Sequence, residues 1–75
     1  MSNKEEDNRI KQKIGSNLKK IRLQKGLKQI EVAAATDLNR SYISRIECGK
    51  ARISLDSIYQ LVLGLEITSE ELLGY

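Results

Sequence analysis

Apolar residues recur along this chain at helical spacing, and no stretch alternates between apolar and polar positions as a β-strand does. A first stripe, spaced by four, four and three residues, predicts a helix that is capped by Asp7 or Asn8 and is ended by Gly26. Residues 1–7 are polar and have no apolar period, so we expect them to form a flexible tail. The stripe expected to face the core comprises Ile10, Ile14, Leu18 and Ile21.

Two shorter helices are predicted next, over residues 29–36 and 40–47. The break between them, Asp37-Leu38-Asn39, is tight, and Asn39 is placed to cap the later helix. The residues expected to be buried are Ile30, Ala33 and Ala34 in the earlier helix and Ile43 and Ile46 in the later one.

The last part of the chain predicts a fourth and a fifth helix. Ser54 is a suitable N-cap for the fourth, and Thr68 with Glu71 forms a T-x-x-E capping box that opens a short fifth helix with Leu72 and Leu73. The core stripe expected in the fourth helix comprises Leu55, Ile58, Leu61, Val62 and Leu65. The fold class predicted is therefore all-α, with five helices in one domain over residues 8–75.

Composition excludes several functional classes. With 75 residues, no His and one Cys, the chain has no histidine-dependent triad and too few ligands for a zinc finger or an iron–sulfur centre. No nucleophile–base pair is marked either, so we expect no enzymatic activity, no metal and no cofactor. No apolar run approaches the ~18–20 residues that span a bilayer, so the expected location is the cytoplasm and not a membrane.

Charge divides the chain more sharply than its net value of +3 suggests. Residues 1–52 hold all 13 Lys and Arg against six Asp and Glu, hence +7, whereas residues 53–75 hold four acids and no basic residue, hence −4. Such a division favours a polyanionic partner for the basic part, and nucleic acid is the obvious class. The alternative is that the basic residues only solvate helix surfaces.

The second and third helices have the spacing of a helix-turn-helix unit. They are short, about three residues separate them, and the small residues 33–35 permit close packing. In such a unit the later helix lies in a DNA major groove. Its outward side chains suit that role, because Arg offers a bidentate fork to guanine and Ser bonds to base edges or phosphates, although a merely solvated face has the same composition. These side chains are Arg40, Ser41, Ser44 and Arg45.

Three runs of the sequence carry a resemblance to a known family. They are GLKQIEVA from Gly26, LNRSYISRIECGK from Leu38 and ISLDSI from Ile53. Together they resemble the Xre or lambda-repressor-like helix-turn-helix domain over residues 10–73, and within it they are most similar to the controller proteins of restriction–modification systems. The resemblance implies a five-helix DNA-binding domain whose recognition helix is 40–47.

The resemblance also implies roles for individual residues. Gln29 would contact phosphate and brace the recognition helix, while Arg22 and Glu47 would form an internal ion pair. Two positions depart from the family pattern: Lys28 replaces a Thr cap, and Cys48 replaces an Arg or Asn that often contacts phosphate, so Cys48 is left out of the site. The implied DNA-binding set is Gln29, Asn39, Arg40, Ser41, Tyr42, Ser44, Arg45, Lys50 and Arg52, with Lys50 and Arg52 on a basic loop.

Two residues of the fourth helix, Tyr59 and Leu63, are spaced i,i+4 beside the core stripe. With Leu73 they predict a dimer surface, for which core thickening is the alternative. The leading hypothesis is a homodimeric, autoregulatory transcriptional regulator that binds a pseudo-palindromic double-stranded operator in a bacterial or phage setting, associated with the nucleoid and with no evident small-molecule effector. The alternatives are an antitoxin or adaptor that binds a protein partner, and a phage-type repressor.

Overall fold

The computed structural model describes residues 3–74, and of Asn3 it describes the backbone only. All secondary structure in that range is helical, which confirms the all-α prediction. The bounds of the second and third helices and the starts of the fourth and fifth agree with the sequence predictions, whereas the first helix is longer than expected. The helices are α1 (Asn3–Gln24), α2 (Gln29–Thr36), α3 (Arg40–Glu47), α4 (Leu55–Leu65) and α5 (Ser69–Leu73).

The beginning of α1 differs from the expectation of a tail over residues 1–7. The helix begins at Asn3, so the expectation is wrong for residues 3–7, while the first two residues lie outside the described range. Two acidic residues in the first turn interact favourably with the helix dipole, and Asp7 pairs with Arg52 across the fold. At the other end Gly26 adopts the left-handed conformation (φ +69°) predicted for a residue that ends the helix.

The other helix starts follow the predicted capping chemistry, with one exception. The side chains of Asn39, Ser54 and Thr68 each accept a hydrogen bond from a backbone N–H three residues later, at 2.7, 3.1 and 3.0 Å. A lysine ammonium has no acceptor, so Lys28 cannot cap α2 in this way. Instead its backbone N–H donates to Oε1 of Glu31 at 2.7 Å, which satisfies one of the two ends of a capping box.

The core lies where α1 crosses α3 and where α2 packs on α4. At the first crossing a Cβ on Gly15 would stand 2.1 Å from the carbonyl oxygen of Ile46, so the two helices approach too closely for any side chain at that position. The buried apolar residues are Ile14, Leu18, Ile21, Val32, Ile43, Ile46, Ala51, Leu61, Leu65, Ile67 and Leu72.

Four residues expected in the core are exposed instead: Ile10, Ile30, Ala34 and Leu55. In α2 the prediction was wrong for Ile30 and Ala34, because the helix buries Val32 and Thr36 on the side opposite Ile30. The third predicted residue, Ala33, is half-buried against the core. Ile10 and Leu55 lie towards the N-terminal ends of their helices, ahead of the residues through which α1 and α4 enter the core. The remaining predicted core residues are buried or half-buried.

Candidate nucleic-acid interface

The outward face of α3 is polar and cationic. Arg40, Ser41 and Arg45 are exposed and Ser44 is half-buried, while Ile43 and Ile46 on the opposite face are fully buried. The helix is therefore held by its apolar face and presents two guanidinium groups and two hydroxyls to the surface. This chemistry is suited to base edges and phosphate oxygens.

The last residue of α3 is anchored to α1 by a two-point ion pair. Arg22 Nε lies 2.7 Å from Glu47 Oε2, and Arg22 Nη2 donates to Glu47 Oε1 at 2.9 Å. The Arg22 and Glu47 side chains are only 12% and 4% exposed, so little solvent competes with the pair. The hydrogen bond from the Glu47 carboxylate raises the pKa of Arg22 above its ordinary value, against a smaller opposing effect of burial.

A third element joins this anchor. Gln29 Nε2, in the first turn of α2, donates to Oε1 of Glu47 at 3.1 Å, and Arg22 Nη1 donates to the carbonyl oxygen of Leu27 at 3.0 Å. The start of α2 and the end of α3 are thus fixed to the same guanidinium–carboxylate pair. Gln29 occupies the bracing position that the family resemblance implied.

The side of α3 nearest α4 is held by Tyr42, whose hydroxyl is used inside the protein. It donates to the carbonyl oxygen of Arg52 at 3.3 Å and accepts from Ser57 Oγ at 3.0 Å. The family resemblance had implied Tyr42 as a DNA-binding residue, and Ser57 had not been singled out at all. Ser57 is 6% exposed, and a serine in the first turn of a helix gives no sequence signal for a contact 15 residues away.

The loop after α3 adds two exposed cations, Lys50 and Arg52. The Lys50 backbone N–H donates to the carbonyl oxygen of Arg45 at 2.9 Å, which ties the loop to the end of α3. The Arg52 guanidinium forms an ion pair with Asp7 of α1, which the sequence did not predict because the partners are 45 residues apart. The Asp7 carboxylate therefore lies beside the cationic surface formed by the loop and the outward face of α3.

The outward face of α4 has the opposite character. Leu55, Tyr59 and Leu63, spaced by four residues, are 83%, 64% and 56% exposed, and we call them the apolar stripe. The sequence had predicted the last two for a dimer surface and had assigned Leu55 to the core. Leu73, the third predicted surface residue, is half-buried and borders a small pocket with Ile10 and Ile14 of α1.

The described residues offer little for other chemistry. Between Asn3 and Gly74 there is no cluster of His, Cys, Asp and Glu suited to a metal ion, and every buried side-chain polar atom there has a hydrogen-bond partner. No helix in that range has the length and apolar character needed to cross a bilayer. The sulfhydryl of Cys48, which follows Ser44 by one helical turn, is exposed.

Comparison with known proteins bears directly on this arrangement. A family model described as "Helix-turn-helix" (HTH_3) matches residues 18–72, from the middle of α1 to α5. The chain belongs to this family. The match includes both helices of the helix-turn-helix unit, the basic loop and the apolar stripe.

Three similar proteins are named as control or controller proteins. Control protein C.MunI of Mycoplasma sp is 46% identical over 66 residues, covering 87% of this chain and 89% of its own. Control protein C.BamHI of Bacillus amyloliquefaciens is 36% identical, covering 91% and 85% of the two chains. The crystal structure of the restriction-modification controller protein C.AhdI from Aeromonas hydrophila is 37% identical, with a TM-score of 0.79 and coverage of 83% and 94%.

Membership of this helix-turn-helix family makes the protein a DNA-binding transcriptional regulator and not an enzyme. The α2–α3 unit with its cationic outer face supplies the DNA-binding element that the family requires.

Proposed function

We propose that this protein is a homodimeric, restriction–modification controller-type regulator that inserts α3 into the major groove of a pseudo-palindromic operator. The observation that carries the proposal is the outward face of α3, with Arg40 and Arg45 exposed on a helix anchored at its last residue. A recognition helix must be rigid to align side chains with base edges, and the Arg22–Glu47 pair with Gln29 provides that rigidity. Resemblance to two control proteins supports the controller role.

The cationic and polar residues divide into two roles. Arg40, Ser41, Ser44 and Arg45 reach base edges from α3, whereas Lys50 and Arg52 neutralise phosphates from the loop. Asn39 and Gln29 lie at the starts of α3 and α2, where helix N-termini favour phosphate. Each phosphate neutralised releases counterions, so affinity falls steeply with salt.

The apolar stripe on α4 is proposed as the seam between two copies of this chain. One recognition helix reads only a few base pairs, and a second copy doubles the site. Residues 53–75 contain no Lys or Arg, so the seam lies in the part of the chain with least affinity for DNA. A two-fold dimer whose recognition helices stand about 34–36 Å apart would read half-sites in successive major grooves.

Selection of duplexes from a random pool tests the proposal directly. The purified protein should enrich a pseudo-palindrome with two half-sites, and the gene's own promoter region should contain a match if the protein is autoregulatory. Failure to enrich any duplex, or binding that does not weaken with salt, would contradict the DNA-reading role. Enrichment of a single half-site would retain that role and reject the dimer.

The single cysteine of the chain offers a second measurement on the unmodified protein. Cys48 lies one helical turn after Ser44 and is exposed, so we expect a duplex bound against this face of α3 to reduce access to its thiol. Alkylation should slow several-fold in the presence of the selected duplex. A duplex of scrambled sequence is the control at the same salt concentration, and equal rates with both would place α3 outside the groove.

A further inference from the structure

Three hydroxyl groups form a hydrogen-bonded series, which we call the hydroxyl chain, that links α4 to the recognition helix α3. Ser54 Oγ lies 3.0 Å from Ser57 Oγ, and Ser57 Oγ lies 3.0 Å from the Tyr42 hydroxyl oxygen. The Tyr42 hydroxyl lies 3.3 Å from the carbonyl oxygen of Arg52. The hydroxyl chain therefore begins at the N-cap of α4 and ends on the backbone of the basic loop.

The hydroxyl protons can be assigned to donors and acceptors in only one consistent order. The Arg52 carbonyl only accepts, so the Tyr42 hydroxyl donates its single proton there and must accept from Ser57. Ser57 has then used its own proton and accepts from Ser54. Ser54 in turn accepts the backbone N–H of Ser57 at 3.1 Å, which keeps α4 capped. Every hydroxyl donates once, and Ser57 is the link on which both neighbours depend.

We propose that Ser57 is a positioning residue for DNA reading, which fixes α3 and the basic loop in one relative geometry although it does not touch DNA. Its side chain is too buried, at 6% exposure, to contact a duplex. Loss of its hydroxyl would leave the Tyr42 hydroxyl with its bond to the Arg52 carbonyl alone. The Tyr42 ring, and through it the Arg52 backbone beside α3, would then be held less firmly. The proposal rests on the DNA-binding function proposed above and adds a residue to it.

Base readout and phosphate contact respond differently to such a release. Bidentate contacts to bases require accurate placement of α3, whereas phosphate contacts tolerate small displacements and carry no direct sequence information. Ser57→Ala should therefore lower the ratio of operator to random-duplex affinity by about 3- to 10-fold, the size of one net hydrogen bond. Affinity for random duplex and its salt dependence should stay unchanged.

Two further variants separate positioning from general destabilisation. Tyr42→Phe removes the bond from Ser57 and also the bond to the Arg52 carbonyl, so it should lower discrimination at least as much as Ser57→Ala. The double variant should be no worse than Tyr42→Phe alone, because the bond between Ser57 and Tyr42 is already lost there. Thr36→Val is the matched control: it removes another buried hydroxyl, which donates within α2 to the Val32 carbonyl at 2.7 Å and takes no part in the hydroxyl chain. Equal loss of discrimination in Thr36→Val and Ser57→Ala, or additive losses in the double variant, would overturn the proposal.

A measurement without DNA keeps this inference separate from the proposed function. In carbonyl-detected NMR, Ser57→Ala should shift the Arg52 carbonyl resonance and increase amide exchange in residues 50–54, while Thr36→Val should change neither. Unchanged resonances would overturn the link whether or not the protein selects an operator. A wild-type protein that selects no duplex, combined with the expected NMR changes, would reject the proposed function and leave the hydroxyl chain standing as a structural link only.

Discussion

The outward faces of α3 and α4 have opposite chemistry, although both helices bury their inward faces in the same core. The α3 surface carries Arg40 and Arg45, whereas the α4 surface carries the apolar stripe of Leu55, Tyr59 and Leu63. Core packing accounts for the inward faces of both helices and for neither outward face. We attribute the difference to two partners: DNA for α3 and, as proposed above, a second copy of this chain for α4.

The largest effect is expected from the pair that holds α3 in place. Arg22→Met leaves the Glu47 carboxylate buried at 4% exposure without its cation, which should lower the free energy of unfolding by about 3–5 kcal/mol. Thermal unfolding measures the loss. Lys19→Met, which removes a cation from an exposed position of the same helix, should change the melting temperature little. A wild-type melting temperature for Arg22→Met would mean that the pair does not support α3.

The next effect concerns the α4 side. Leu63→Glu places a carboxylate in the proposed seam and should weaken dimerisation by more than about 2 kcal/mol, because a charge is costly to bury. Sedimentation at tens of micromolar distinguishes monomer from dimer. Leu23→Glu is the matched control, since Leu23 of α1 is 58% exposed against 56% for Leu63. A monomeric wild type, or a Leu63→Glu protein that dimerises normally, would mean that the apolar stripe of α4 is not a dimer interface.

On the α3 side, base-reading and phosphate-binding cations should separate in a competition between operator and random duplex. Arg45→Ala and Arg40→Ala should each reduce discrimination by roughly 1–3 kcal/mol. Lys50→Ala should instead weaken binding to both duplexes alike and reduce the log–log salt slope by about 0.9. Equal losses on both duplexes for the arginine variants would reassign them to the backbone.

The smallest effect tests the anion beside the cationic surface. Asp7→Asn frees Arg52 for phosphate and should strengthen DNA binding by about two- to fivefold, the range of an exposed ion pair. Glu5→Gln removes the same charge from an exposed position of α1 and serves as the control. In an Arg52→Met background, Asp7→Asn should have no more effect than Glu5→Gln. A persistent gain in that background would indicate general electrostatics and not the pair.

The sequence alone determined the features that arise from neighbouring residues. Helix starts at Asn39, Ser54 and Thr68 follow from side chains that accept a hydrogen bond from a backbone N–H three residues away. The end of α2 agrees with the break predicted at residues 37–39. The division of charge at residue 52 and the polar face of α3 are likewise local patterns. The Arg22–Glu47 pair was accessible only through family resemblance, because 25 residues separate its partners.

Tertiary structure decided which face of a helix is buried where several faces are apolar. Ile30 and Val32 are both suited to a core, and only the packing of α2 on α3 and α4 buries Val32 and exposes Ile30. Tertiary packing likewise leaves Leu55 exposed and brings Asp7 of α1 beside Arg52. It also places Ser57 in contact with Tyr42. Capping depends on atoms within one turn of the backbone, whereas these choices depend on which distant segments come together, and no local pattern records that.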